Sequence, residues 1–311
     1  MEYPKYFNPQ NSLKLFGFKK DLNILLSLYF KKKLPKILML SGNKGCGKST
    51  LINHFLFSIF AAKNYDKNNF ELTESSGMFK QFRNGIFQNI IYVKGSDFKS
   101  VKVDDIRSLK SQILQSSIID KDRFVILDDI ELFNINSLNA LLKIIEEPGN
   151  NNYFVLINNK TKPLLDTIKS RALDVKIILS EDDRITIIKK LLEFHNIETV
   201  LDPEMSKLTP GNFILFNYIC KENDIFIENN FLYNLSLLLN LYKKNKDTLF
   251  INMILYLKDF YFKNLKDKNI FKIDKIIDMK NFVSENLDKY ITYNLSQKTL
   301  INVINEKLNN E

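Results

Sequence analysis

An apolar run that breaks into a glycine-rich turn constrains this chain more than any other stretch. The run is Ile37-Leu38-Met39-Leu40-Ser41, the turn is Gly42-Asn43-Lys44-Gly45-Cys46-Gly47, and Lys48-Ser49-Thr50 open a helix-forming segment. Gly42 to Ser49 fit the spacing G-x-x-x-x-G-K-[ST]. Glycines let successive backbone N–H groups curl toward a bound polyphosphate, and a helix opening there aims the positive end of its dipole at the same point. The whole segment from Gly42 to Thr50 is therefore a candidate phosphate site. Lys48 would reach the terminal phosphates and Ser49 would hold Mg²⁺. A chain with only 9 glycines in 311 residues rarely assembles this spacing by chance.

The rest of the sequence supplies the fold in which such a turn works. Asn89-Ile90-Ile91-Tyr92-Val93, Arg123-Phe124-Val125-Ile126-Leu127, Tyr153-Phe154-Val155-Leu156-Ile157 and Val175-Lys176-Ile177-Ile178-Leu179 read as further strands. Helical patterns separate them. Leu51, Ile52, Phe55, Leu56, Ile59 and Phe60 make a core-facing stripe after the turn. Val103 to Leu109 begin a helix with Asp104 and Asp105 at its N-terminal end, and Ser137 to Glu147 form another, stopped by Pro148-Gly149. Strand runs without polar alternation predict a parallel five-stranded sheet buried on both faces, an α/β architecture. Residues 10–35 read as an N-terminal helix that includes Asp21 to Phe30, and residues 63–88, rich in Asn, Asp and Ser, read as an irregular insertion.

Beyond Ser180 the pattern turns helical. Ser180-Glu181-Asp182-Asp183 is a capping box, and Thr209-Pro210-Gly211-Asn212 reads as a turn. The expected division is 1–180 for the nucleotide-binding domain, 181–222 for a small helical lid domain and 223–311 for a second helical domain. Within the last, the run from Phe231 to Leu239 reads as core in preference to an inter-subunit surface.

Composition narrows the setting. Two cysteines, Cys46 and Cys220, are too few for a disulfide framework or a zinc site, which suits a reducing compartment. Neither a secretory leader nor 18 uninterrupted apolar residues is read, so no membrane partner and a cytoplasmic place are expected. The net charge of +9 is concentrated in residues 1–48, where ten Lys face only Glu2 and Asp21. A basic segment of this kind can meet a nucleic-acid backbone or simply solvate the surface. Arginine is scarce: Arg83, Arg107, Arg123, Arg171 and Arg184 are all there are.

A phosphate loop that serves a metal needs a carboxylate at the tip of a neighbouring strand, and hydrolysis needs a second acid to orient water. Asp128 and Asp129 end the run Phe124-Val125-Ile126-Leu127 in those two positions. Asp128 would be the metal-side acid with Ser49. Asp129 stands where a longer Glu would do the orienting, one methylene short.

The segment Asn139-Ala140-Leu141-Leu142-Lys143-Ile144-Ile145-Glu146-Glu147-Pro148 resembles the N-A-L-L-K-x-x-E-E-P box of bacterial clamp-loader subunits. It is followed by Phe154 to Asn159 and by Ser170-Arg171-Ala172, similar to the S-R-C motif of that family with Ala in place of Cys. The resemblance covers roughly residues 10–215. It implies a P-loop AAA+ module, a lid and a C-terminal helical collar for oligomerisation. It further implies that Asn158 is the polar sensor and that Arg171 is an arginine finger acting in trans on the ATP of a neighbouring subunit. The opening Asn8-Pro9-Gln10-Asn11-Ser12-Leu13-Lys14-Leu15-Phe16-Gly17-Phe18 is similar to the delta-prime branch of that family. Asp128-Asp129-Ile130-Glu131 stands where the tau/gamma motors carry D-E-x-H. Gly211-Asn212-Phe213-Ile214 puts Ile214 where their second sensor arginine stands.

The resemblance thus implies a subunit of a hetero-oligomeric loader in DNA replication. Its partners would be tau/gamma and delta subunits, the sliding clamp and, through the assembly, primed DNA; its cofactors would be ATP and Mg²⁺. A catalytically competent motor is the alternative. A small-molecule P-loop kinase is disfavoured, because such enzymes clamp phosphates with several arginines.

Overall fold

The computed structural model describes residues 4–95, 101, 103–114, 121–149, 151–204, 206–227, 230–246, 248–293 and 295–309. They divide into two compact units, residues 1–197 with 207–214, and residues 198–206 with 215–311.

The first unit is built on a five-stranded sheet. Its strands are β1 (Ile37–Ser41), β4 (Ile90–Lys94), β5 (Arg123–Asp128), β6 (Asn152–Asn158) and β7 (Leu173–Lys176), in the order β4-β5-β6-β1-β7 with every pairing parallel. The β1–β6 register sets Leu38 against Val155 and Ser41 against Asn158. The α/β expectation with a parallel five-stranded sheet is met. Parallel neighbours need crossovers, and these are helices α2 (Lys48–Phe60), α4 (Val103–Leu114) and α5 (Ile135–Glu146).

Strand geometry sorts the core into two layers. Leu38, Leu40, Phe124, Ile126, Val155 and Ile157 share one cluster with Leu51, Ile52, Phe55 and Leu56 of α2. Met39, Val125, Leu127, Phe154 and Leu156 share another with Leu138, Leu141 and Ile145 of α5. Successive side chains point to opposite faces, so continuous apolar strands serve both layers at once.

Several local expectations are corrected. The N-terminal helix is shorter than residues 10–35: α1 is Lys19–Phe30, entered after Gly17 (φ +75°) and Phe18 (φ +55°), whose left-handed backbone cannot continue a helix. Residues 63–88 are not irregular. They hold a hairpin, β2 (Tyr65–Asp66) with β3 (Glu71–Leu72), and a short helix α3 (Gly77–Arg83). Phe70, Leu72, Phe79, Phe82 and Phe87 anchor this segment in the α2-side core. Its polar residues are the hairpin turn, where Asp66 Oδ1 accepts the N–H groups of Asn68 and Asn69. Leu173 to Lys176, rather than Val175 to Leu179, form the edge strand.

After a short helix α6 (Asp166–Lys169), helix α7 (Glu181–Phe194) starts at the capping box. Ser180 Oγ accepts the Asp183 N–H at 3.1 Å, which satisfies one orphan donor of the first turn. Thr209 to Asn212 are not a free turn but the entry to α8 (Pro210–Glu222), with Pro210 at the first helical position, where its missing N–H costs nothing.

In the second unit, α9 (Phe231–Asn245), α10 (Thr248–Asp267), α11 (Ile273–Tyr293) and α12 (Gln297–Asn309) pack as a cycle, α9 on α10, α10 on α11, α11 on α12 and α12 on α9. Phe231, Leu235, Leu238 and Leu239 are buried while Tyr233 is exposed, the face selection of an amphipathic helix. Among the described residues no helix is long and apolar enough to cross a membrane.

Candidate nucleotide site and surface arginine

The phosphate loop bridges β1 and α2 in a conformation that only glycine holds without strain. Gly45 has φ +80° and Gly47 φ +105°. A Cβ on Gly47 would stand 2.9 Å from the Phe18 ring, and one on Gly42 would meet the Ile177 carbonyl at 2.4 Å.

Inside the loop lies Lys48, 3% exposed. Its Nζ donates to the carbonyls of Gly42 (2.8 Å) and Asn43 (2.9 Å) and lies 3.7 Å from Cys46 Sγ. Burial lowers its proton affinity, and the nearby Cys46, Asp128 and Glu131 oppose that effect. A buried ammonium with two carbonyl partners is a cation held ready for an anion.

Ser49 and Asp128 stand side by side. Ser49 Oγ donates to Asp128 Oδ2 at 2.9 Å. Two further donors reach this carboxylate: Tyr92 Oη of β4, on the same Oδ2 at 2.6 Å, and the backbone N–H of Asp129, on Oδ1 at 2.9 Å. Burial raises the Asp128 pKa, against the hydrogen bonds from Tyr92 and Ser49, which favour the anion. Burial, then the Asp128 charge, hold the Tyr92 phenol far above its ordinary range. Hard oxygen donors of this type suit Mg²⁺.

Asp129, next in sequence, has left-handed backbone (φ +53°), and its Oδ1 accepts Asn159 Nδ2 at 2.6 Å. Asn158 ends β6 beside Ser41 of β1. Its carbonyl accepts the Gly42 N–H at 3.1 Å, and its Oδ1 accepts the Lys160 N–H at 2.9 Å. The β1–β6 pairing thus brings Asn158 to the base of the phosphate loop.

Three contributors escape motif reading. Tyr92 lies in an ordinary strand run, and only the β4–β5 register, which pairs Tyr92 with Ile126 and Lys94 with Asp128, brings its hydroxyl to Asp128. Glu131, 5% exposed, accepts Asn159 N–H and Thr161 Oγ1 and so fixes the loop after β6. The entry to α8 grips the outside of the phosphate loop: Thr209 Oγ1 donates to the Lys44 carbonyl at 2.7 Å and Gly211 N–H to the Gly45 carbonyl at 2.8 Å. Ile214, four residues into the same helix, is buried.

Arg171 stands apart from this group. It lies between α6 and β7 with its side chain 37% exposed. Its Nε and Nη2 donate to Glu146 Oε1 at 3.1 and 2.7 Å, and its Nη1 donates to the Thr167 carbonyl at 3.0 Å. Glu146 belongs to the box at the end of α5, so one box residue orients the arginine.

Known proteins resemble this chain in sequence. The family described as "DNA polymerase III, delta subunit" matches residues 18–180. A DNA polymerase III subunit delta' of Buchnera aphidicola (subsp. Baizongia pistaciae) is 31% identical over 170 residues, 49% of this chain and 48% of that protein. Another, from Buchnera aphidicola (subsp. Schizaphis graminum), is 25% identical over 268 residues, 85% of this chain and 71% of that one. The subunit gamma of the same organism is 26% identical over 194 residues, 60% of this chain and 50% of its own length. The chain spans about half the length of such curated relatives. The family match covers more than half of the chain, including the phosphate loop, the acidic strand end and Arg171, and the chain therefore belongs to the DNA polymerase III delta subunit family.

Proposed function

We propose that this chain is a delta-prime-like subunit of a DNA polymerase III clamp loader, which braces the loader ring and donates Arg171 to the ATP site of a neighbouring motor subunit. The observation that carries this reading is the placement of Arg171: a half-exposed guanidinium, oriented by Glu146 and not tied into the chain's own phosphate loop. A planar, permanently charged fork is suited to stabilise charge developing on a phosphoryl group in transfer.

In this reading the segment Gly42 to Thr50 binds ATP. Lys48 meets the phosphates, and Ser49 and Asp128 would hold any Mg²⁺ that binds, which would neutralise phosphate charge. Turnover at this site is slow or absent. Asp129, the water-orienting candidate, is engaged by Asn159, Asn158 is turned to its own loop, and Ile214 offers no guanidinium. The competent-motor alternative would need Asp129 released. Residues 181–222 would serve as lid and 223–311 as collar, joining tau/gamma and delta subunits in a ring that acts on the sliding clamp and primed DNA. Cytoplasmic placement follows from that role.

The test is ATP hydrolysis by a loader reconstituted with motor and delta subunits, clamp and primed DNA, comparing wild type with Arg171→Ala. A loss of about 10³-fold at the affected site is expected, the scale of a missing arginine finger. Unchanged hydrolysis in an intact assembly would sink the proposal.

A further inference from the structure

We infer that Tyr92 is a positioning residue that competes with the metal for Asp128 and so holds this chain's nucleotide site in a metal-poor form; the inference rests on the reading that the phosphate loop binds nucleotide. A carboxylate offers about four lone-pair sites. Asp128 has committed three: Oδ2 takes the Ser49 and Tyr92 hydroxyls, and Oδ1 takes the Asp129 N–H. The Ser49 bond is compatible with a metal, because a serine oxygen can ligate through a lone pair while its O–H still donates to the carboxylate. Tyr92 is different. Mg²⁺ dehydrates reluctantly, keeps several waters, and is bound by proteins through one or two carboxylates besides substrate phosphates. Oδ2 is the oxygen on the Ser49 side, and its second lone pair is taken by the shortest of the three bonds to Asp128, 2.6 Å.

The phenol is also not free to swing away. Its ring packs against the core beneath α2, and its backbone is fixed by β4–β5 pairing. A metal, or a metal-bound water, that takes Oδ2 must therefore displace a charge-assisted hydrogen bond from a side chain held by its strand.

The experiment measures equilibrium binding of a fluorescent ATP analogue to the full chain, in EDTA and across a magnesium titration, for wild type and Tyr92→Phe. The Phe variant keeps the ring in the core and removes only the hydroxyl. Expected is an affinity unchanged in EDTA and about tenfold tighter with magnesium, the scale of one hydrogen bond to a charged group. The gain should vanish in the double variant Tyr92→Phe/Asp128→Asn, because it acts through that carboxylate. A merely structural role would shift both conditions together. Equal binding by wild type and Tyr92→Phe at every magnesium concentration overturns the inference and leaves nucleotide binding intact. Weaker magnesium-dependent binding overturns it too, making Tyr92 a support for the metal. Binding by neither protein, both folded by circular dichroism, overturns the nucleotide reading and the inference with it. Binding by the variant alone supports the inference. Should Tyr92→Phe fail to fold, Tyr92→Leu carries the same comparison.

Discussion

The phosphate loop and Arg171 are both cationic devices on one α/β unit, yet they are held in opposite ways. Lys48 is buried and bound by two carbonyls and a sulfur; Arg171 is half exposed and rests on one carboxylate and one backbone carbonyl. A charge taken out of water must be satisfied where it sits, because an unpaired buried ion costs several kcal/mol. A charge at the surface keeps its hydration and gives up a screened pair worth about 0–1 kcal/mol. The first arrangement suits a ligand that enters the chain. The second suits a group to be offered to another molecule, since Glu146 can release it at little cost.

The comparison can be broken by experiment. Arg171→Ala should lower hydrolysis by the reconstituted assembly about 10³-fold. It should change this chain's own unfolding free energy by less than about 1 kcal/mol, as measured by urea titration. Loss of folding would mean that the arginine is structural. Lys48→Ala should do the reverse, weakening ATP binding by this chain about 10²-fold in equilibrium dialysis. The fold should be kept, because a desolvated ammonium is removed and not exposed.

His54 sharpens the lesson about buried ions. It is fully buried on α2, with Nδ1 2.9 Å from Tyr65 Oη, and burial moves its pKa from 6.5 down to about 3. The fold therefore favours neutral imidazole, while the unfolded chain binds a proton below pH 6.5. Its stabilising share is complete above pH 6.5 and is lost as pH falls toward 3. Stability measured by urea titration across that range should decline, and His54→Gln should flatten the decline; equal slopes would refute the assignment.

Smaller effects are expected at the two flanks. Thr209→Val removes the hydroxyl bound to the Lys44 carbonyl and should cost about 1 kcal/mol, read as faster amide exchange in the phosphate loop. Glu146→Gln loosens Arg171 and should alter assembly hydrolysis by no more than about fivefold, the range of an exposed ion pair. A much larger loss would make Glu146 indispensable for presenting the arginine.

The amino-acid sequence determined the local chemistry of this protein. Gly42 to Ser49 were legible because their spacing is a backbone requirement, and four of the five strands because unbroken apolar runs suit a sheet buried on both faces; the exposed edge strand Leu173–Lys176 offered no such run. The Ser180 cap was legible because its partner lies three residues away. Arg171 and its box were recognisable by resemblance to a family, not by periodicity. Tertiary structure alone decided the contacts that are distant along the chain. Phe70, Phe79, Phe82 and Phe87 were lost among polar neighbours, and only the packed core shows that they anchor the hairpin segment. Tyr92 meets Asp128 across 36 positions, and Thr209 meets Lys44 across 165. Spacing within one helix or turn is fixed by backbone geometry and can be read from the chain. Register between strands and the docking of a distant loop are set by how whole layers pack, so they become visible only when the chain has folded.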